Sequence, residues 1–108
     1  MAITNSPGDF HIVSGLTRTA TSDTGGTGDW IPVAKDNVGL DLSVTTGTAR
    51  VEMTACSLMN LANAVVTTVS ADTLTGTLTG PATGSTLVNG ASAVRLVATG
   101  VAQLSVRT

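Results

Sequence analysis

Apolar and polar residues alternate most strictly over Val38-Gly39-Leu40-Asp41-Leu42-Ser43-Val44, with Val38, Leu40, Leu42 and Val44 on one face. A period of two marks a strand that buries one side. Ala49 to Ala55 repeats it with Ala49, Val51, Met53 and Ala55 inward, and Thr45-Thr46-Gly47-Thr48 between the two supplies a glycine for a tight turn. The pair reads as a β-hairpin. A two-residue turn at Thr46-Gly47 would set Val44 against Ala49, Leu42 against Val51 and Leu40 against Met53. On the wet side Ser43 would face Arg50, and Asp41 would lie opposite Glu52 and diagonal to Arg50. A second hairpin is predicted at the end of the chain, with Val94, Leu96 and Ala98 on one strand, Ala102, Leu104 and Val106 on the other, and the reversal at Gly100. The outward positions Ser43, Thr54, Thr99 and Gln103 are neutral.

The remaining segments are weaker in pattern. Trp30 to Ala34 reads as a short strand, and Pro32, which has no N–H to donate, assigns it to an edge, a strand start or a bulge. Leu58, Leu61, Ala62 and Val65 keep helical spacing, but Val65 to Val69 is β-branched, so a loop or short helical turn leading into a strand over Ala64 to Ser70 is expected. From Asp72, Leu74 and Leu78 point one way and Thr73, Thr75, Thr77 and Thr79 the other, until Gly80-Pro81 interrupts; this predicts a threonine-covered strand and then a loop. Phe10 to Val13 is the first apolar run. Thr17 to Asp29, crowded with Gly25, Gly26 and Gly28, carries neither period and reads as a long mobile loop or hairpin tip.

These readings give one all-β domain. Residues 1–29 form an irregular N-terminal arm with a first strand and a Gly/Thr-rich loop, and residues 30–108 form the core. About six to eight short strands separated by turns predict a small antiparallel β-sandwich or jelly roll.

Composition sharpens this picture. The 108 residues include 20 Thr, 13 Val and 13 Ala but only Phe10 and Trp30 as aromatics, so small aliphatic side chains fill the core. A domain of this size buries only about 60–65% of the surface its unfolded chain exposes, and a partner subunit would supply further burial. Charged residues are 11% of the chain, against about a quarter in an average domain, and mean hydropathy is +0.35. Such a surface suits contact with other protein. A net charge of −2 with no run of Lys or Arg, and no aromatic platform, argues against nucleic acid. No apolar run reaches about 18 residues and no basic, apolar leader opens the chain, so neither a membrane span nor a signal peptide is expected, and synthesis belongs in a cytoplasm.

Candidate chemistry is sparse. His11 beside Asp9 is the one histidine–carboxylate proximity, and in a chain so rich in serine the pairing is expected by chance. Cys56 has no second cysteine and reads as a small buried hydrophobe. Asp23 to Asp29 lacks the ligand spacing of a calcium loop, and no Gly-Lys-Ser/Thr follows its glycines. No catalytic, cofactor-binding or metal-ligating residue is therefore assigned, no cofactor is expected and no enzymatic activity is expected. Phe10 and Trp30 are the candidate core or interface anchors, because large aromatics concentrate in both places. Arg50, Arg95 and Arg107 occupy outward strand positions, open to carboxylates across a subunit boundary or to solvent.

Gly47-Thr48-Ala49-Arg50-Val51-Glu52, and Gly90 to Gly100 running into the Leu104-Ser105-Val106 strand, resemble the small β-sandwich virion proteins of tailed bacteriophages, of the head decoration or cement type. The resemblance spans Trp30 to Thr108. It implies a homo-oligomer, a dimer or trimer, that clamps the major capsid protein or another virion protein and resides in the virion. It carries no catalytic residues. A tail or head-fibre module for receptor binding is the alternative expectation, and a small hydrolase built on His11 a remote one.

Overall fold

Strand formation follows the β-branched composition, and the computed structural model describes residues 3–5, 17–33 and 36–107. Six strands of six or seven residues dominate: β2 (Thr17–Ser22), β5 (Val38–Val44), β6 (Thr48–Thr54), β11 (Ala82–Val88), β12 (Ala93–Ala98) and β13 (Ala102–Arg107). Shorter pieces fill in between them: β1 (Ile3–Asn5), β3 (Gly26–Thr27), β4 (Ile31–Pro32), β7 (Thr67–Thr68), β8 (Ser70–Ala71), β9 (Leu74–Thr75) and β10 (Leu78–Thr79), with a 3-10 helix over Leu58–Asn63. One antiparallel sheet runs β1-β2-β13-β5-β11. The other runs β10-β6-β12-β3, with β4 added to β12 and β7 to β6. The two pack face to face as a sandwich, and Leu40, Leu42 and Leu104 of the first sheet share one core with Val51, Val94 and Leu96 of the second.

The alternation assigned the inward faces of β5, β6, β12 and β13 correctly, but neither predicted hairpin exists. β5 pairs with β13 and β11, whereas β6 pairs with β12. Each expected hairpin is an arch that carries the chain from one sheet to the other, so Val44 and Ala49 line opposite walls of the core. The reason is the amount of apolar surface to be hidden. A flat hairpin would put both apolar faces on one side of one sheet, while an arch turns them toward each other.

The two arches lie side by side and hydrogen-bond across their crests. Thr45 and Thr46 N–H donate to the Val101 carbonyl at 2.8 and 3.2 Å, and Val101 N–H donates to Thr46 Oγ1 at 3.0 Å. Thr99 N–H donates to the Thr48 carbonyl at 2.8 Å, and Thr48 N–H donates to Thr99 Oγ1 at 2.8 Å. Val44 pairs with Ala102 and Ala49 with Ala98, so four residues on one crest oppose three on the other. The extra residue makes a bulge at the corner, which is how a strand bends between sheets. Gly47 meets it with φ 70°. Gly100 serves close approach instead: a Cβ there would stand 2.5 Å from the Thr46 carbonyl oxygen.

Three further expectations change. Thr17 to Asp29 is not a loop outside the sandwich: β2 lies inside the first sheet, where Arg18, Ala20 and Ser22 are buried, and β3 lies on the edge of the second. Asp72 to Thr86 is not one strand and a loop, because β9 pairs with β8, β10 pairs with β6, and β11 covers Ala82–Val88 beside β5. Thr54, expected outward, is buried with its Oγ1 accepting from Cys56 N–H at 3.2 Å, while Ala55, expected inward, is exposed. Pro32 does sit on an edge strand, opposite Ala93. The helical spacing after Cys56 gives the 3-10 turn, and in place of one strand after it stand two short ones, β7 beside β6 and β8 beside β9.

Gly100→Ala should lower stability by about 2–3 kcal/mol, which is about 8–20 °C in a domain of this size, because the methyl must push a backbone carbonyl aside. Gly90→Ala, at φ 82° with no atom within 4 Å of the new Cβ, should cost only about 1 kcal/mol of backbone strain. Thermal melting of the two variants separates crest packing from a general intolerance of side chains at glycines.

Candidate functional site

Three surfaces are built by this frame. The first is the outer face of the β13-β5-β11 part of the first sheet. There the outward positions are Asp41 and Ser43 on β5, Gln103 and Ser105 on β13, and Thr83 and Ser85 on β11, and they line an open trough of about 340 Å³. Thr73 forms one wall. Its Oγ1 accepts from Ser85 N–H at 2.8 Å and donates to the Ser85 carbonyl at 3.3 Å, which occupies backbone groups that an edge strand would otherwise leave open for pairing. Arg107 bridges to Asp41 at one end. The Asp41–Arg50 diagonal expected from a hairpin is therefore replaced, since β5 and β6 belong to different sheets.

The second surface is the outer face of the β6–β12 pair. Register sets Glu52 opposite Arg95 and Arg50 opposite Val97, so all three charged side chains share one face. Glu52 is only 7% exposed. Arg50 Nε and Nη2 reach its Oε2 at 3.0 and 2.9 Å, and Arg95 Nε and Nη2 reach its Oε1 at 2.8 and 2.8 Å. Each carboxylate oxygen thus accepts one Nε–H hydrogen bond and has an Nη2 of the same guanidinium at ion-pair distance. Trp30 lies over Arg95, with the guanidinium carbon 4.3 Å from the ring centroid.

The third surface is the connection from β6 to β7. The 3-10 helix at Leu58–Asn63 buries none of its residues, and its start is capped by Ser57, whose hydroxyl accepts from Met59 N–H at 3.3 Å. Met59 is 98% exposed and Val65 80%, with Leu58 and Val66 also at the surface. Isolated exposed hydrophobics are ordinary, but four within nine consecutive residues concentrate apolar surface on one connection.

The expected site residues distribute unevenly over these surfaces. Trp30 is half-buried and outside the core cluster, on the face that carries Arg50 and Arg95. Phe10, like His11 and Asp9, lies outside the described residues. Cys56, expected to be buried, is half-buried, with Sγ 3.5 Å from the Ser57 carbonyl oxygen. The glycine-rich stretch before Asp29 runs along the edge of β12, where Gly28 N–H donates to the Leu96 carbonyl at 2.8 Å. Among the described residues no group of three His, Cys, Asp or Glu could hold a metal ion, and no helix is long and apolar enough to cross a membrane. Sequence reasoning passed over Glu52 as the hub. Arg50-Val51-Glu52 places two opposite charges on one strand face, a signal that was present, whereas Arg95 joins them only through the strand pairing.

Comparison of the chain with protein-family models, with curated proteins and with solved structures finds no match.

Glu52→Gln should cost about 1–3 kcal/mol in urea denaturation, because two guanidiniums held side by side lose the charge between them. Arg50→Ala should cost less than about 1 kcal/mol, since Glu52 keeps Arg95 and the lost partner is partly exposed. Added salt should narrow the Glu52→Gln deficit by screening the repulsion.

Proposed function

We propose that this chain is a virion structural protein of a tailed bacteriophage, a head decoration or cement protein that acts by associating with itself and with shell protein. The observation that carries the reading is the set of exposed apolar side chains Leu58, Met59, Val65 and Val66 on one connection, in a chain with only five basic and seven acidic residues. Apolar surface left in water is costly at about 25 cal/mol per Å², and a partner that covers it recovers that energy. The outer face of the first sheet supports the same role, since Ser43, Thr83, Ser85 and Gln103 are exposed and neutral and lose little on being covered. A ligand that binds only the assembled shell stabilises it by mass action and needs no turnover.

The trough beside Asp41 favours a second reading, a receptor-binding module of a tail or head fibre. A carboxylate, an amide and several hydroxyls side by side resemble the polar lining with which proteins hold sugars. Binding of a glycan that Gln103→Ala abolishes would favour that reading over decoration.

Light scattering on the purified protein should give a dimer or trimer, and a single 10.7 kDa species at micromolar concentration would contradict the oligomer. Mixed with undecorated phage heads, the protein should co-sediment in a fixed stoichiometry and raise the melting temperature of the heads. Met59→Asp should abolish both effects while leaving the protein's own melting temperature within a few degrees, as expected for a fully exposed position.

A further inference from the structure

The Arg50–Glu52–Arg95 cluster carries more charge than its internal bonding requires. One arginine neutralises one glutamate, and a bidentate grip would satisfy it. The second guanidinium makes the cluster net positive in a chain of net charge −2. It also holds two like charges close together, both within 3.0 Å of one carboxylate. Each arginine spends Nε and Nη2 on Glu52, which leaves Nη1 outside the clamp. The side chains of Arg50 and Arg95 are 39% and 24% exposed, so each guanidinium is held at Glu52 on a side chain that stays partly open to solvent.

We propose that the Nη1 edges of Arg50 and Arg95, braced by Glu52 and Trp30, dock a carboxylate side chain of a neighbouring protein. The identity of that neighbour, a shell subunit, rests on the assembly reading above; the chemistry of the site does not. Bracing matters because a free arginine loses rotamer entropy when it binds, and here Glu52 and the Trp30 ring have already removed that freedom. Guanidinium is weakly hydrated and meets a carboxylate in a planar fork, so it enters an interface at lower cost than an ammonium would. Arg and Trp are also the side chains that dominate interface energetics. A single surplus charge is too little for a nucleic-acid backbone, whose binding needs many phosphate contacts, and it matches one acidic side chain.

Trp30 is the only tryptophan and reports on the site directly. Its fluorescence should change saturably when the full chain is titrated at low salt with a capped Asp/Glu peptide, and should not change with the Asn/Gln version of the same peptide. Arg50→Gln, which leaves Glu52 paired with Arg95, should weaken peptide binding about five- to tenfold, and about 0.5 M salt should weaken it similarly. An equal response to the amide peptide, a response to inorganic phosphate as strong as to the acidic peptide, or no effect of Arg50→Gln would each overturn the proposal. So would loss of self-association in Arg50→Gln, which would make the occupant a second copy of this chain. Acidic-peptide binding without any binding to phage heads would sink the assembly reading and leave the carboxylate site standing. Head binding indifferent to both salt and Arg50→Gln would do the reverse.

Discussion

Two chain crossings hold the molecule together: the crests at Thr45–Thr48 and Thr99–Val101, where both arches pass from one sheet to the other and bond to each other. The constraint behind them is apolar alternation without aromatic bulk. With only two aromatic residues in the sequence, the chain hides Leu40, Leu42, Leu96 and Leu104 by turning its own strands to face one another. The crossing requires backbones in near contact, and Gly100 allows it with Thr46 directly above. Ser22 ties the same point to β2, its hydroxyl donating to the Gly100 carbonyl at 2.7 Å. The register of both sheets is set from this corner, and with it the residues that face outward.

That dependence explains what could be read in advance. Alternation named the inward residues of β5, β6, β12 and β13 because burial imposes a period of two whatever the partner strand is. It could not separate hairpin from arch, because both bury the same residues and both accept a glycine at Gly47. β11 and β2 were missed for another reason: their inward positions are Ala82, Gly84, Thr86 and Val88 on one, Arg18, Ala20 and Ser22 on the other, too small or too polar to register as an apolar stripe. Arg18 lies buried with Nη1 3.4 Å from the Pro32 carbonyl oxygen, a contact between sheets that no local pattern foretells.

The charged cluster shows the same limit. Outward placement of Arg50 and Arg95 was legible from alternation, and so was the oddity of a lone Trp30. Their convergence on Glu52 was not, since Arg95 stands 43 residues from Glu52 and meets it only because β12 lies against β6. Site and fold are coupled here: a one-residue slip of β12 would turn Arg95 into the core and leave Glu52 with Arg50 alone. The trough on the other sheet depends on register in the same way, because Ser43, Gln103 and Thr83 align across three strands.

A hydroxyl-rich surface that carries exposed apolar side chains on the β6–β7 connection is the physical basis for the proposed role in assembly, and its central claim is that the Leu58–Val66 segment is covered in the working state. Met59 makes this measurable, because an exposed thioether oxidises readily and Met53, half-buried on β6, serves as an internal reference. Peroxide oxidation followed by mass spectrometry, run on the free chain and on the chain bound to phage heads, compares the two sites. The account predicts that Met59 oxidises much faster than Met53 in the free chain and becomes strongly protected on the heads. Met59 oxidation at the same rate in both states would contradict it.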